Sequence, residues 1–196
     1  MASVSHELKT PLNCILAMQE MLRPYISEEL AVQYLNPAIN SSKLLMSLVN
    51  DILDFGQIRA GMHKHYYEVF SLKEVLQDAL TLFEIPAKNR DLELKFEYDS
   101  TIPKLIHSDP TRIRQIVVNL LNNAIKFTYK GSITLKAAAK GPKQVCIGVT
   151  DTGVGIKAEN VKQIFSAFGK LENDHLNPQG VGLGLTISQS LASRLG

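Results

Sequence analysis

The 196-residue sequence predicts an α-helical hairpin followed by an α/β two-layer sandwich with a mixed β-sheet. Of the 12 glycines, only Gly56 and Gly61 lie before residue 130, so the front of the chain is helical in character and the rear is rich in loops. Apolar residues recur at heptad spacing in the front part, whereas shorter alternating apolar runs follow it. Apolar residues make up 45% of the chain and charged residues 20%, which argues against a disordered, collagen-like or disulfide-stapled protein.

The first helix is predicted over residues 3–22 and should end before Pro24, because proline disfavours the helical state in the preceding residue. Its apolar stripe comprises Leu8, Leu12, Ile15 and Leu22. A second helix is predicted from about Glu28 to Ala60, with a kink at Pro37 and its end at Gly61. Its heptad seam comprises Leu35, Ala38, Ser42, Leu45, Val49 and Ile52.

Two helices with so wide an apolar face cannot cover each other fully. Pairing with a second copy of the hairpin would bury this face in a four-helix bundle. We therefore expect a homodimer through residues 1–61. The alternative is that the apolar face packs on the rest of its own chain.

The second part of the chain alternates strand and helix signals. A strand is predicted at residues 66–70, and Ser71 with Glu74 forms a capping box that begins a helix to about Ala87. Apolar residues alternate with charged ones over residues 92–96, which predicts a half-buried strand.

Asp109 and Pro110 are typical of an N-cap and first helical turn, and this helix should reach about Phe127. The remaining elements are strands at 133–139 and 144–150 with a turn at 141–142, a short helix at 157–164, a long loop after Phe168, and a last helix from about Leu183 to the end. This order predicts helices on one face of a mixed sheet.

Charge and hydropathy exclude several classes of partner. The net charge of +2, from 21 basic and 19 acidic residues, argues against a nucleic-acid binder. No apolar run is long enough to cross a membrane and no secretory signal is present, so we expect a cytoplasmic segment without membrane contact, whose parent protein could be membrane-anchored. Cys14 and Cys146 fit no metal-binding spacing, and we expect both to be buried and unpaired in a reducing compartment.

Three clusters carry chemistry, and the first is the segment from Ser5 to Pro11. Pro11 should bend the helix just beyond His6, and Thr10 lies one turn after His6 on the same face. An imidazole that attacks a phosphoryl group must be neutral at the attacking nitrogen, and a carboxylate such as Glu7 on the other nitrogen raises its nucleophilicity. From spacing alone, a structural histidine and a nucleophilic one remain equally open.

The second cluster is a polar stripe on the helix predicted over residues 110–127. Asn119, Asn123 and Lys126 follow i, i+4, i+7 spacing and share a face. Amide oxygens there could hold Mg²⁺ and the lysine could hold phosphate, although a merely solvated face has the same appearance.

The third cluster is a pair of glycine-rich segments. Residues 151–155 place Asp151 at a strand end, where its carboxylate could accept a hydrogen bond from the amino group of adenine. Residues 180–185 open the last helix, and backbone amides at such a start attract phosphate. No P-loop is present, and no strand precedes residues 180–185 as a Rossmann fingerprint requires.

Together and in this order, the motifs resemble the core of sensor histidine kinases, the two-component family. The matching segments are His6 to Pro11 (phospho-acceptor box), Asn119 to Thr128 (asparagine box), Asp151 to Gly155 (first glycine box), Phe165 to Phe168 (phenylalanine box) and Gly180 to Leu185 (second glycine box).

The resemblance implies that His6 accepts the γ-phosphoryl group of ATP, that Glu7 acts as its base and that Thr10 positions water for dephosphorylation of a partner. It implies Mg²⁺ binding by Asn119 and Asn123. It further implies an ATP site formed by Asn119, Asn123, Lys126, Asp151, Gly153, Gly155, Phe168, Gly180, Gly182, Gly184 and Leu185, with residues 169–179 as a lid.

The family's architecture implies a dimerisation and phospho-acceptor domain at residues 1–61 and an ATP-binding domain of the Bergerat fold at residues 62–196. The family usually adds two further strands after the last helix, so we expect this chain to be a piece of a longer protein. The expected partner is an aspartate-bearing receiver domain of a response regulator.

Two alternatives stay open. A clamp-type ATPase of the gyrase or Hsp90 kind shares the Bergerat fold, but those enzymes carry a water-activating glutamate where this chain has Asn119. A catalytically inert dimerisation scaffold would retain the fold without the phosphorylation.

Overall fold

The computed structural model describes residues 2–26, 29–60, 66–141, 143–166 and 182–195. Its helices are α1 (Ala2–Leu22), α2 (Glu29–Arg59), α3 (Leu72–Thr81), α4 (Glu84–Lys88), α5 (Pro110–Phe127) and α6 (Gly184–Leu195). Its strands are β1 (Glu68–Phe70), β2 (Leu92–Tyr98), β3 (Ile106–Ser108), β4 (Gly131–Ala139) and β5 (Val145–Asp151). The predicted fold class, a helical hairpin followed by an α/β part with a mixed sheet, is confirmed.

The hairpin consists of α1 and α2, joined through a 3₁₀ turn at Arg23–Tyr25 that contains Pro24. Helix α2 continues through Pro37. The two helices are bridged by an ion pair between Nζ of Lys43 and Oε1 of Glu20 at 2.8 Å. Large apolar side chains remain exposed on the hairpin: Ile15, Met18, Met21, Leu22, Leu45 and Ile52.

The main sheet has the order β2-β4-β5, with β2 parallel to β4 and β4 antiparallel to β5. Strands β1 and β3 form a separate antiparallel pair, in which Val69 faces His107. Strand β3 was not predicted, because three residues are too short for an alternating pattern to show.

The core of the α/β part lies between the sheet and the helices that cover it. Ile113, Val117 and Leu121 recur every four residues and form the buried face of α5. They belong to the same apolar cluster as Leu76 of α3 and Ile133 of β4. Helix α5 is thereby held rigidly against the sheet.

Two predicted helices were wrong in detail. The helix predicted over residues 71–87 is broken into α3 and α4, because Pro86 has no N–H to bond the carbonyl of Leu82 and its ring crowds that carbonyl. The helix predicted over residues 157–164 is instead two 3₁₀ turns, Ala158–Asn160 and Gln163–Phe165.

The expected burial of both cysteines was also wrong. Cys14 and Cys146 are unpaired but exposed. Cys146 lies on β5 at the edge of the described sheet, where alternate side chains face outward, and Cys14 lies on an outward part of α1.

The end of α2 packs on the α/β part, and we call this the α2–α6 contact. Ile58 is buried with Leu183, Ile187 and Leu191, and Phe55 and Ile116 pack against this cluster. Nη2 of Arg194 donates to the carbonyl oxygen of Ile58 at 2.9 Å. Nε2 of Gln115 donates to Oδ2 of Asp54 at 2.7 Å. The hairpin therefore covers part of its apolar surface within its own chain, while the exposed residues named above remain uncovered.

Within the residues that the structure describes, none of the helices combines the length and the apolar character needed to cross a membrane.

Candidate functional site

Helix α5 carries the polar stripe of the candidate site, and its start is firmly fixed. Oδ1 of Asp109 accepts a hydrogen bond from the backbone N–H of Arg112 at 3.1 Å, as an N-cap should. Oδ2 of the same buried carboxylate accepts the backbone N–H of Tyr66 at 3.0 Å. The stripe is thus presented by a helix that is capped and packed.

Asn119 lies where α5 meets the start of α6. Its Nδ2 donates a hydrogen bond to Oγ of the buried Ser188 at 2.7 Å. Its Oδ1 lies so close to Gly184 that a Cβ atom at that position would overlap with it. The missing side chain of Gly184 therefore makes the approach of Asn119 possible.

The start of α6 is shaped for a close approach to an anion. Gly182 has a φ of +76°, a left-handed conformation that favours glycine. The buried Leu183 anchors the turn, and its carbonyl accepts the N–H of Ile187 at 2.9 Å. The first-turn amides of α6 have no partner within the helix, as at any helix start, and such amides attract phosphate.

Asp151 lies at the other end of α5, at the end of β5. Its Oδ1 accepts the backbone N–H of Gly153 at 2.8 Å, and the hydroxyl of the fully buried Thr128 lies 3.5 Å from the same oxygen. A Cβ atom on Gly153 would overlap with the carbonyl oxygen of Phe127. Because both hydrogen bonds use Oδ1, Oδ2 of Asp151 can accept a hydrogen bond from a ligand.

The two ends of the site are separated by the length of a helix segment. From Asn119 to Thr128 the chain rises nine residues, or about 14 Å at 1.5 Å per residue. An amide beside a phosphate-attracting helix start thus lies at one end and a carboxylate at the other. This spacing suits an extended ligand with an anionic tail and a hydrogen-bonding head group.

The other predicted site residues that the structure describes lie on α5 or close to its two ends. Asn123 and Lys126 are half-buried on α5, with Nζ of Lys126 4.9 Å from the ring centre of Phe127. Gly155 follows Asp151 with a φ of +69°. Leu185 lies half-buried in the first turn of α6.

The predicted phospho-acceptor residues lie on the hairpin. Thr10 is exposed on α1, whose backbone also includes positions 6 and 7. The side chains of His6 and Glu7 lie outside the described residues, as do Phe168, Gly180 and the predicted lid at residues 169–179.

Ser188 is a residue of this site that was not predicted from the sequence. The signal available was a polar residue between apolar neighbours on the buried side of α6, next to Ile187 and one turn before Leu191. Among the described residues, no group of three or more His, Cys, Asp or Glu side chains could hold a metal ion.

Two families match the sequence. Residues 1–61 match the family described as "His Kinase A (phospho-acceptor) domain". Residues 108–196 match the family described as "Histidine kinase-, DNA gyrase B-, and HSP90-like ATPase".

Named relatives match along the whole chain. It is 37% identical over 201 residues to the sensor protein GacS of Pseudomonas syringae pv. syringae, covering 100% of this chain and 22% of GacS. It is 32% identical to the signal transduction histidine-protein kinase BarA of Escherichia coli, with the same coverage. The chain thus spans about a fifth of the length of these relatives.

Two solved histidine kinase structures have a fold similar to that of this chain. Full-length ShkA in complex with AMPPNP superimposes with a TM-score of 0.80 at 32% identity, covering 98% of this chain and 40% of ShkA. The histidine kinase ThkA in complex with the response regulator protein TrrA superimposes with a TM-score of 0.64 at 25% identity, covering 99% of this chain and 54% of ThkA.

Proposed function

Because the chain belongs to the sensor histidine kinases, we propose that it transfers the γ-phosphoryl group of ATP to His6 and then to an aspartate of a receiver domain. In this proposal residues 1–61 form the dimerising phospho-acceptor domain and residues 62–196 form the ATP-binding domain. We expect this segment to work in the cytoplasm, where ATP is available.

The observation that carries the proposal is the arrangement of the two ends of α5. Oδ2 of Asp151 would accept a hydrogen bond from the adenine amino group, in a pocket shaped by Gly153 and Gly155. The triphosphate would extend along α5 toward Asn119 and the first turn of α6. The other proposed contributors to the ATP site are Asn123, Lys126, Phe168, Gly180, Gly182, Gly184 and Leu185.

The residues present fit Mg²⁺ as well. The side-chain oxygen Oδ1 of Asn119 lies in the space that Gly184 leaves open, and Asn123 follows one turn later on the same helix. Amide oxygens are hard ligands of the kind Mg²⁺ accepts, and few protein ligands suffice because phosphates and water complete its shell. When bound, Mg²⁺ would neutralise the charge that develops on the phosphate oxygens.

The chemistry at His6 would be an in-line displacement. The lone pair of a neutral ring nitrogen attacks the γ-phosphorus, an N–P bond forms, and the bond to the β–γ bridging oxygen breaks so that ADP leaves. The proton on the other ring nitrogen passes to Glu7. Thr10, one turn later, would position water when the domain dephosphorylates its partner.

The partners follow from the same assignment. The exposed apolar face of the hairpin would pair with a second copy in a four-helix bundle. A response regulator would then receive the phosphoryl group. ThkA, which has this fold, has been solved with the response regulator TrrA, and this supports the proposed partner class.

Phosphorylation of the 196-residue chain with γ-labelled ATP and Mg²⁺ tests the proposal. We expect an acid-labile, alkali-stable label that His6→Gln abolishes while its ATP affinity stays at the wild-type value. Asp151→Asn should weaken ATP binding by about tenfold or more, because the amide presents a donor where the adenine amino group needs an acceptor.

The two variants serve as controls for each other, since one removes the acceptor and the other the base recognition. Release of free phosphate without labelling would instead indicate a clamp-type ATPase. A wild-type chain that binds no ATP would indicate an inert scaffold. Either result would overturn the proposed kinase function.

A further inference from the structure

We propose that Ser188 is a positioning residue that, by accepting a hydrogen bond from Nδ2, holds the side-chain amide of Asn119 with Oδ1 toward the start of α6, where the nucleotide phosphates would bind. This inference rests on the proposed function, because it concerns the same ATP site. It adds a residue of α6 that lies outside the motifs identified from the sequence.

Ser188 stands out on the buried side of α6. Its neighbours on that side, Leu183, Ile187 and Leu191, are each no more than 3% exposed and are apolar. Ser188 is only 7% exposed, so its hydroxyl needs a hydrogen-bond partner inside the protein. The partner is Nδ2 of Asn119, at 2.7 Å.

This hydrogen bond orients the whole amide group of Asn119. A carboxamide carries an NH₂ donor on one side and a carbonyl acceptor on the other. With Nδ2 held by Ser188, Oδ1 is the amide atom that lies nearest to Gly184, in the space that a Cβ atom would occupy. A rotation of the amide would exchange the two atoms and present NH₂ there instead.

The choice of atom decides the chemistry at the start of α6. The backbone amides of that first turn already supply donors that attract phosphate. An amide oxygen beside them repels phosphate unless a cation lies between, whereas an NH₂ group would bind phosphate directly. Ser188 thus makes Asn119 an oxygen ligand for Mg²⁺ and makes nucleotide binding at this end dependent on the metal.

A purely structural role would give a different result. The α5–α6 junction is also held by apolar contacts, in which Ile116 packs against the cluster of Leu183 and Ile187. If Ser188 only joined the two helices, its loss would weaken the fold or ATP binding equally with and without metal. The metal dependence of ATP affinity separates the two roles.

The test compares Ser188→Ala and Ser188→Cys with a matched control on the same helix, Ser190→Ala. The hydroxyl of Ser190 donates to the carbonyl oxygen of Thr186, at 2.9 Å, one turn earlier on α6. ATP affinity is measured by calorimetry in EDTA and across a Mg²⁺ titration, and thermal unfolding verifies that each variant is folded.

We expect both Ser188 variants to bind ATP in EDTA no more weakly than the wild type does, while the gain in affinity on adding Mg²⁺ falls by about tenfold. The Ser190→Ala variant should keep the wild-type response. Alanine removes the acceptor without adding bulk, and the sulfur of cysteine is a weak acceptor, so a loss shared by both variants at unchanged thermal stability indicates the hydrogen bond.

A wild-type Mg²⁺ response in Ser188→Ala would overturn the inference while leaving the proposed function intact. So would a loss of affinity that is equal with and without Mg²⁺. A wild-type chain that binds no ATP under either condition would overturn the proposed function, and this inference with it.

Discussion

The carboxylate of Asp151 is oriented by its own protein before any ligand arrives. The N–H of Gly153 and the hydroxyl of Thr128 both approach Oδ1, and this leaves the second oxygen for a ligand. A group held in this way loses little conformational freedom on binding, so more of its interaction energy contributes to affinity. The backbone around Gly153 is therefore as important to the site as the carboxylate.

Gly153→Ala should reduce ATP affinity by about tenfold or more. The added Cβ would overlap with the carbonyl oxygen of Phe127 and lie 2.7 Å from Oδ1 of Asp151, so the turn must shift and carry the carboxylate with it. Calorimetric titration with ATP measures the effect. Gly148→Ala is the matched control, since a Cβ at Gly148 of β5 meets no atom within 4 Å. Equal affinities for the two variants would contradict this account.

The carboxyl group of Asp51, on α2, should make the stability of the folded protein depend on pH. Burial raises the pKa of its carboxyl, and the charge of Asp54 raises it further. The folded state therefore takes up this proton more readily than the unfolded state, so ionised Asp51 destabilises the protein at neutral pH and the penalty disappears as pH falls through the raised pKa.

Asp51→Asn should consequently have a higher Tm than the wild type at neutral pH, and the difference should shrink in mild acid. Thermal unfolding monitored by circular dichroism at both pH values measures it. A difference in Tm that does not change with pH would show that charge is not the cause.

Site residues differ in how far the sequence predicts them. Asp151 and Asn119 can be predicted because each lies in a local motif whose chemistry needs its neighbours in the chain. Ser188 cannot be predicted in this way, because its role depends on a partner 69 positions away on another helix. Such pairings arise from tertiary packing and leave only a weak local signal, a polar residue on an apolar face.

Helix α6 connects several parts of the molecule. Beside its contact with α5, the hydroxyl of Thr186 donates to the carbonyl oxygen of Phe165 at 3.0 Å, next to the predicted nucleotide lid. At its far end, Arg194 donates to the carbonyl oxygen of Ile58 on the hairpin. One short helix thus contacts the candidate ATP site at its start and the hairpin at its end.

Ile58→Ala should weaken the α2–α6 contact, lowering its stabilising free energy by about 2 kcal/mol, because the truncation leaves a cavity beside Leu183 and Ile187. Hydrogen exchange measured by mass spectrometry should become faster in α6 and at the end of α2. Ile85→Ala removes the same atoms from an exposed position on α4, outside this contact and outside the proposed dimer interface, and should leave exchange in α6 unchanged. Similar exchange in both variants would show that Ile58 does not hold the contact.

The elements that the sequence predicts well have strong end signals. Helix α5 was predicted almost to the residue, because Asp109 and Pro110 mark its start and apolar residues follow at regular spacing. The helix predicted over residues 71–87 was not, because it is interrupted between Thr81 and Glu84, where the carbonyl of Leu82 meets the ring of Pro86. Strong local signals decide boundaries only where no competing pattern runs across them.

At the scale of the whole molecule, one part of the hairpin's apolar surface is buried within the chain and another part is exposed. The end of α2 packs on α6, whereas Leu45 and Ile52 remain 48% and 52% exposed on the hairpin. The order of the two regions, helical first and mixed α/β second, could be predicted from the distribution of glycines and the spacing of apolar residues. The α2–α6 contact could not be predicted, because it depends on how two separately patterned parts meet.

Leu45→Glu and Ile52→Glu should each shift a dimeric chain toward monomers, because a charge would be buried in the proposed four-helix bundle. Sedimentation velocity measures the shift. Leu82→Glu is the matched control, since Leu82 is 59% exposed but lies in the α/β part. Dimers of unchanged strength in both hairpin variants would place the interface elsewhere.

The parallel pairing of β2 with β4 also affects the order in which the parts of the chain fold. Leu92 pairs with Gly131 and Tyr98 with Ala137, so each contact closes a segment of about 40 residues, and such distant closures are slow. The hairpin needs only neighbouring segments and is synthesised first. Two nascent chains could therefore associate through their hairpins while the sheet is still incomplete, so that assembly would precede catalytic competence.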